Sequence, residues 1–102
     1  MAKVFALYKT PADPAAFDRY YRDVHVPIAK KIPGLRGYEV TRGEIGMLGG
    51  RSPYYLIAVL TFDSAAAVQA ALTSPEGQAT AADIGNFATG GVDVLFAETR
   101  EL

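Results

Sequence analysis

"YYLIAVLTF", residues 54–62, runs for nine residues without a charge or a glycine, and its aromatic and β-branched side chains fill both alternating sets. A strand that is apolar on both faces belongs in the middle of a sheet with both faces covered. A second segment reads the same way. In "KVFALY", residues 3–8, Val4, Ala6 and Tyr8 alternate with Phe5 and Leu7, and both sets are apolar or aromatic. These two segments are expected to form the central strands of one sheet.

Working outward, "KTPADP" is a loop that ends in a helix start, with Asp13 as N-cap and Pro14 at the first helical position. The helix is expected to run to about Ile32, where "PGLRG" stops it. Phe17, Tyr20, Tyr21, Val24, Ile28 and Ile32 fall on one apolar stripe, while Asp18, Arg19, Arg22, Lys30 and Lys31 lie mainly off it. "LRGYEVTRGEIG", residues 35–46, reads as a strand entering a glycine-rich hairpin loop. After the central strand, "DSAAAVQAAL" has the caps and alanine content of a helix. A break at residues 73–75 precedes a second helical piece that starts at Ser74 and Pro75, and "VDVLFAETREL" closes the chain as a strand.

The order β-α-β-β-α-β over residues 1–102 defines a single α+β domain of the ferredoxin-like kind, with a four-stranded antiparallel sheet. Its two helical segments cover only one sheet face, yet the central strands are apolar on both. Apolar patches above a few hundred Å² are seldom left in water. A second copy packed sheet to sheet is the simplest cover, so a homodimer through the sheet faces is expected.

Composition narrows the function. The net charge of −1 gives no reason to bind nucleic acid, and the helix dipole accounts for Lys30 and Lys31. The absence of cysteine removes thiol chemistry and fits a reducing compartment. No apolar run is long enough to span a membrane, and "MAKVFALYKT" is too short a run for a signal peptide, so a cytoplasmic protein is expected. One histidine and no clustered carboxylates leave no expected metal site, and no cofactor is expected. The stretch Gly43–Gly50 lacks the Lys-Ser/Thr ending of a phosphate loop, and Ser52, Ser64 and Ser74 lack an elbow motif.

His25 then stands out. It sits at the edge of the stripe, and two residues later Pro27 denies the carbonyl of Asp23 a donor and disturbs the turn before it. A bend beside an imidazole builds either a packed corner or a polar pocket wall, and the residues alone leave both open. Tyr8 ends the first strand at the level where the helix begins, and Tyr20 and Tyr21 lie one turn from His25. Tyr hydroxyls and one imidazole would suit a small aromatic or hydrophobic oxygenated ligand. Arg42 on the second strand is a candidate for a ligand carboxylate, and Asn86, before the last strand, for a ligand contact.

Two quoted stretches, "LYKTPADPAAFDRYYRDVHVPIAKKIPGLRGYEV" and "GNFATGGVDVLFAE", carry a resemblance. The strand ending in Tyr, the D-P helix start, the "F…YY…H…P" helix, the "IPGL" exit and the late glycine turn resemble the EthD family of the dimeric α+β-barrel superfamily, over essentially the whole chain. The resemblance implies two sheets packed into a dimeric barrel and a pocket in each subunit between helices and sheet. The family takes its name from degradation of ethyl tert-butyl ether, where a member accompanies a haem monooxygenase system, and fungal relatives are associated with decarboxylation of aromatic polyketide acids. The wider superfamily adds cyclases, isomerases and cofactor-free monooxygenases, so the fold does not choose the reaction. Haem-degrading relatives lean on a tryptophan this chain lacks. Because His25 and Pro27 match the family's "H…P" positions, the resemblance implies an acid/base role for His25. Two functions follow from it: a cofactor-free acid/base enzyme, or an accessory protein holding a metabolite for a partner monooxygenase.

Overall fold

The computed structural model of the chain describes residues 1–102. β1 (Ala2–Lys9) and β5 (Tyr54–Phe62) run antiparallel through the middle of a four-stranded sheet, in register from Ala2 opposite Phe62 to Tyr8 opposite Leu56. β2 (Gly37–Val40) flanks β5 and β6 (Val92–Glu98) flanks β1, giving the order β2-β5-β1-β6. The two doubly apolar segments are therefore central, as their side-chain pattern requires.

The strand read at residues 35–46 is shorter than its pattern. Its pairing ends at Val40, opposite Ala58. Thr41 then closes the ladder with its side chain, whose Oγ1 accepts from the Ile57 N–H at 3.0 Å. Gly43 turns the chain away at φ 77°, a conformation side chains resist. Residues 46–51 form a separate ribbon of two short strands, β3 (Gly46–Met47) and β4 (Gly50–Arg51).

The first helical segment is not one α-helix. α1 (Pro14–Tyr20) and α2 (Val26–Ala29) are joined by a π turn over Tyr21–His25, in which the Val26 N–H donates to the Tyr21 carbonyl five residues back. The cause is Pro27, whose ring would collide with the carbonyl of Asp23 in an α-helix. Widening the turn relieves the clash. The helix also stops at Ala29 rather than Ile32, because the next bonds reach back only three residues, from Lys31 to Ile28 and from Ile32 to Ala29, ahead of Pro33. Beyond the sheet's other crossover, α3 (Ala65–Thr73) and α4 (Pro75–Ile84) start and break where their caps dictate. Ser64 Oγ accepts from the Ala67 N–H, and Ser74 Oγ accepts from the Gly77 N–H while donating to the Ala71 carbonyl. Gly77 is required there, since any side chain would run into that carbonyl of α3. Close approach of the helices outweighs the roughly 1 kcal/mol that alanine would add to the helix.

The helices lie on one face of the sheet. Val4, Ala6 and Tyr8 of β1 and Ala58, Leu60 and Phe62 of β5 are buried beneath them, with Tyr8 and Phe62 almost wholly enclosed. On the opposite face Phe5, Leu7, Ile57 and Val59 are half-buried, and Leu95 is 56% exposed. The molecule is only 18 Å through its thinnest dimension, the depth of one sheet and one helix layer. Within one chain the sheet is open, with β2 and β6 as its edges. The barrel expected from the resemblance is thus not closed by this chain alone, because four strands cannot curl into one and a second sheet must supply the rest. No helix is long and apolar enough to cross a membrane.

Candidate functional site

The π turn decides where His25 points. In an α-helix each residue advances by about 100°, which leaves His25 at the edge of the apolar stripe. A turn that closes over one more residue advances each of them by less, and the lag swings His25 back beneath Tyr21. His25 is accordingly 3% exposed, while Val24, which the regular stripe would bury, is 37% exposed. The imidazole packs 4.7 Å from the Phe87 ring and 5.3 Å from that of Tyr21.

Across from it, α4 presents Asp83, buried and fully engaged. Asp83 Oδ2 lies 2.9 Å from His25 Nδ1, and Oδ1 accepts from the Tyr20 hydroxyl at 2.6 Å and from Asn86 Nδ2 at 3.0 Å. Burial works to raise the carboxyl pKa, but the three hydrogen bonds from Tyr20, Asn86 and His25 outweigh it and hold Asp83 below the usual carboxylate range. Burial lowers the pKa of His25, and the attraction of Asp83 only partly offsets this. At neutral pH the pair is therefore a carboxylate and a neutral imidazole. Since a carboxylate only accepts, the imidazole proton sits on Nδ1 and Nε2 carries the lone pair.

His25 Nε2 and Tyr8 Oη make no hydrogen bond within the chain, yet no side-chain nitrogen or oxygen is sealed from solvent without a partner. Both residues line a cavity of about 230 Å³ between helices and sheet. Val4, Ala6, Ala58, Leu60 and Phe62 form its floor, α3 and α4 its roof, and its polar edge is Tyr8, His25, Thr80 and the pair Tyr21 and Tyr38. The hydroxyls of Tyr21 and Tyr38 are 2.6 Å apart, so whichever accepts keeps its own proton free for another partner. Burial is the leading cause that pushes the phenols of Tyr8, Tyr21 and Tyr38 upward, so all three stay protonated donors. Phe17, Tyr21 and Phe87 fix the Tyr8 ring, each with its centroid within 5.7 Å; such pairs are worth about 0.5–1.5 kcal/mol apiece beyond their burial.

Of the residues singled out in the sequence, Tyr8, Tyr21 and His25 share the cavity wall. Tyr20 and Asn86 stand outside the cavity and converge on Asp83 instead. Arg42 lies past the end of β2, exposed, on a separate open groove with Glu44, Arg51 and Tyr54. The sequence reading missed Asp83, Tyr38 and Phe87. Asp83 left a faint trace as the one acidic side chain in "GQATAADIGN", three residues before Asn86 and so on its side of the helix. No three of the His, Cys, Asp and Glu side chains come together as a metal-ligand set.

The fold and site define a class: a two-layer α+β protein with an aspartate-held histidine on the wall of a largely apolar internal cavity. Residues 9–91 match the EthD domain. The chain is 44% identical over 99 residues to an uncharacterised 11.0 kDa protein from the thcB-thcC intergenic region of Rhodococcus erythropolis, covering 96% of this chain and 94% of that one. It is 37% identical to an ethyl tert-butyl ether degradation (EthD) family protein of Bacillus halodurans, whose crystal structure superposes with a TM-score of 0.88 over 98% of this chain and 99% of the other. The chain belongs to the EthD family. More distant structures share the fold alone. One is SnoaB, a cofactor-independent oxygenase from Streptomyces nogalater (13% identical, TM-score 0.68, 99% and 94% of the two chains). Another is a dimeric ferredoxin-like protein of Thermobifida fusca (16%, 0.69, 96% and 90%).

The buried dyad makes folding stability depend on pH with a definite sign. Because the folded-state pKa of His25 lies below the unfolded value of about 6.5, the unfolded chain binds more protons in that window and stability falls on acidification. With one histidine in the chain, a decline in melting temperature between pH 7 and 5 belongs to His25. Asp83, with its depressed pKa, adds a second loss below about pH 4. Below pH 6.5 the melting temperature of the wild type is expected to fall more steeply with acidification than that of His25→Gln, which shows the flatter profile. A wild-type melting temperature that holds or rises from pH 7 to 5 would contradict the assignment.

Proposed function

We propose that this EthD family member is a cofactor-independent acid/base enzyme. It would carry out decarboxylation, cyclisation or isomerisation of a small hydrophobic oxygenated compound from oxidative, xenobiotic or aromatic catabolism. One observation carries the reading: His25 lines the cavity while its Nδ1 lies 2.9 Å from the buried carboxylate of Asp83, so the other ring nitrogen, Nε2, is the one left for a ligand. In that arrangement Nε2 accepts a proton from the ligand, and the imidazolium that forms is held by Asp83, as in other carboxylate-oriented histidines. The Tyr8 hydroxyl and the free hydroxyl of the Tyr21 and Tyr38 pair donate to an oxygen that gains charge. Tyr20 and Asn86 act through Asp83 as positioning residues.

The near-continuous apolar walls favour a second reading, an accessory protein that holds a metabolite for a partner monooxygenase without reacting with it. A panel of phenols, enones, quinones and aromatic acids separates the two, scored by movement of the His25 imidazole resonances and by consumption of the compound. For a compound that is consumed, His25→Gln is expected to lower kcat at least about 10²-fold while Kd changes by less than about threefold. Binding with no consumption of any panel member would favour the accessory reading, and full turnover by His25→Gln would remove the base.

We also infer that two copies pair through the open sheet face, closing the dimeric barrel around Phe5, Leu7, Ile57, Val59 and Leu95. A continuous apolar face on the central strands supports this. Sedimentation is expected to give a dimer for the wild type and a monomer for Val59→Lys, whose charge would be buried without a partner. A monomeric wild type at micromolar concentration would sink the dimer.

A further inference from the structure

We propose that the cavity selects an uncharged compound the size of a single ring, carrying an enolisable carbonyl or a phenolic hydroxyl, and turns away carboxylates and phosphates. This rests on the cavity and dyad described above and narrows their substrate class.

Charge is the first restriction. No Lys, Arg, Asp or Glu lines the cavity. Directly behind His25 stands Asp83, which is negative. A carboxylate entering would lose its hydration, worth several kcal/mol even after relaxation, and meet no cation in return. It would also lie in the field of a second carboxylate. Arg42, the residue placed to neutralise such a group, is on another groove that shares no residue with the cavity.

Size is the second. An apolar cavity of about 150 Å³ admits benzene, so about 230 Å³ admits one ring with a few substituents. Drug-sized ligands occupy about 300–1,000 Å³, and fused polycyclic compounds fall on the wrong side of that bound.

The polar edge supplies the third. It offers one basic nitrogen, His25 Nε2, and two free hydroxyl donors, Tyr8 Oη and the free member of the Tyr21 and Tyr38 pair. The Thr80 hydroxyl donates to the Glu76 carbonyl instead. The rings of His25 and Tyr8 both pack on Phe87, with centroids 4.7 and 5.5 Å away, so a single small ligand reaches both. The complementary ligand has one acidic proton and one oxygen acceptor. For a β,γ-unsaturated ketone, Nε2 takes the proton from the α carbon. The C–H electrons form a C=C bond and the carbonyl electrons move to oxygen, where the Tyr8 hydroxyl holds the enolate. The β,γ double bond then takes the proton back from the imidazolium at the γ carbon, as the oxygen electrons re-form the carbonyl and the C=C shifts to the α,β position. Atoms and electrons balance as an isomerisation, and of the three reaction types this one fits the uncharged wall. Decarboxylation would need the anion that the wall repels.

Three probes of matched ring size test this: phenol, cyclohex-2-enone and benzoate, titrated at pH 7.5 with the resonances of His25, Tyr8 and Thr80 as readout. Phenol and cyclohex-2-enone are expected to move those signals, and benzoate to bind at least about tenfold more weakly, a difference of about 1.4 kcal/mol. Equal or tighter binding of benzoate overturns the inference, and so does failure of both neutral rings to reach the cavity signals. The same titrations on His25→Gln, read on Tyr8 and Thr80, are expected to keep the preference. Conversion of cyclohex-3-enone to cyclohex-2-enone is followed separately. Its absence, with the neutral preference intact, counts against acid/base catalysis and leaves the charge selection standing.

Discussion

A single buried negative charge organises this molecule. Asp83 is almost entirely withdrawn from water, and an isolated carboxylate in such a place would be strongly unfavourable. Its two oxygens are therefore met by three donors: the hydroxyl of Tyr20, the imidazole N–H of His25 and the side-chain amide of Asn86. Two of these come from the first helical segment and one from just past the end of α4. The carboxylate thus ties the helices of the two βαβ halves together over the sheet and orients the imidazole on the cavity wall.

That tie depends on backbone geometry set by one proline. Pro27 is incompatible with a regular helix, and the chain answers with a π turn in place of a break. The widened turn brings Tyr21 and His25 onto one bearing and sends Val24 out to solvent. Sequence order alone would give the reverse assignment for Val24 and only an edge position for His25. Helices interrupted in this way recur at functional sites, and here the physical link is direct: the irregular turn places the imidazole within reach of Asp83.

The fold was legible because it rests on patterns local in the sequence. The doubly apolar runs at residues 3–8 and 54–62 placed the central strands, and Asp13-Pro14, Ser64 and Ser74-Pro75 placed the helix starts. Boundaries that depend on a distant partner were less legible. The strand after Leu35 ends early because Thr41 caps the ladder to Ile57, a contact sixteen residues away. The site divides the same way. Tyr8, Tyr21 and His25 were recognisable as a group near one strand end and one helix. Asp83 was not, since a lone acidic residue on an alanine-rich helix looks solvent-facing until the two helices are packed. Arg42 drew attention by its charge, and the early end of β2 carries it away from the cavity.

The chemistry proposed for this EthD family member requires one arrangement of protons: Asp83 ionised, His25 neutral, and the imidazole hydrogen on Nδ1 so that Nε2 is free toward the cavity. The nitrogen-15 spectrum of His25 at pH 7.5 reads this directly, because protonated and unprotonated ring nitrogens resonate far apart and the chain has no other histidine. The expected spectrum shows a protonated Nδ1 and an unprotonated Nε2. A proton on Nε2, or an imidazolium at that pH, would contradict the account, since the cavity would then face a donor and hold no base.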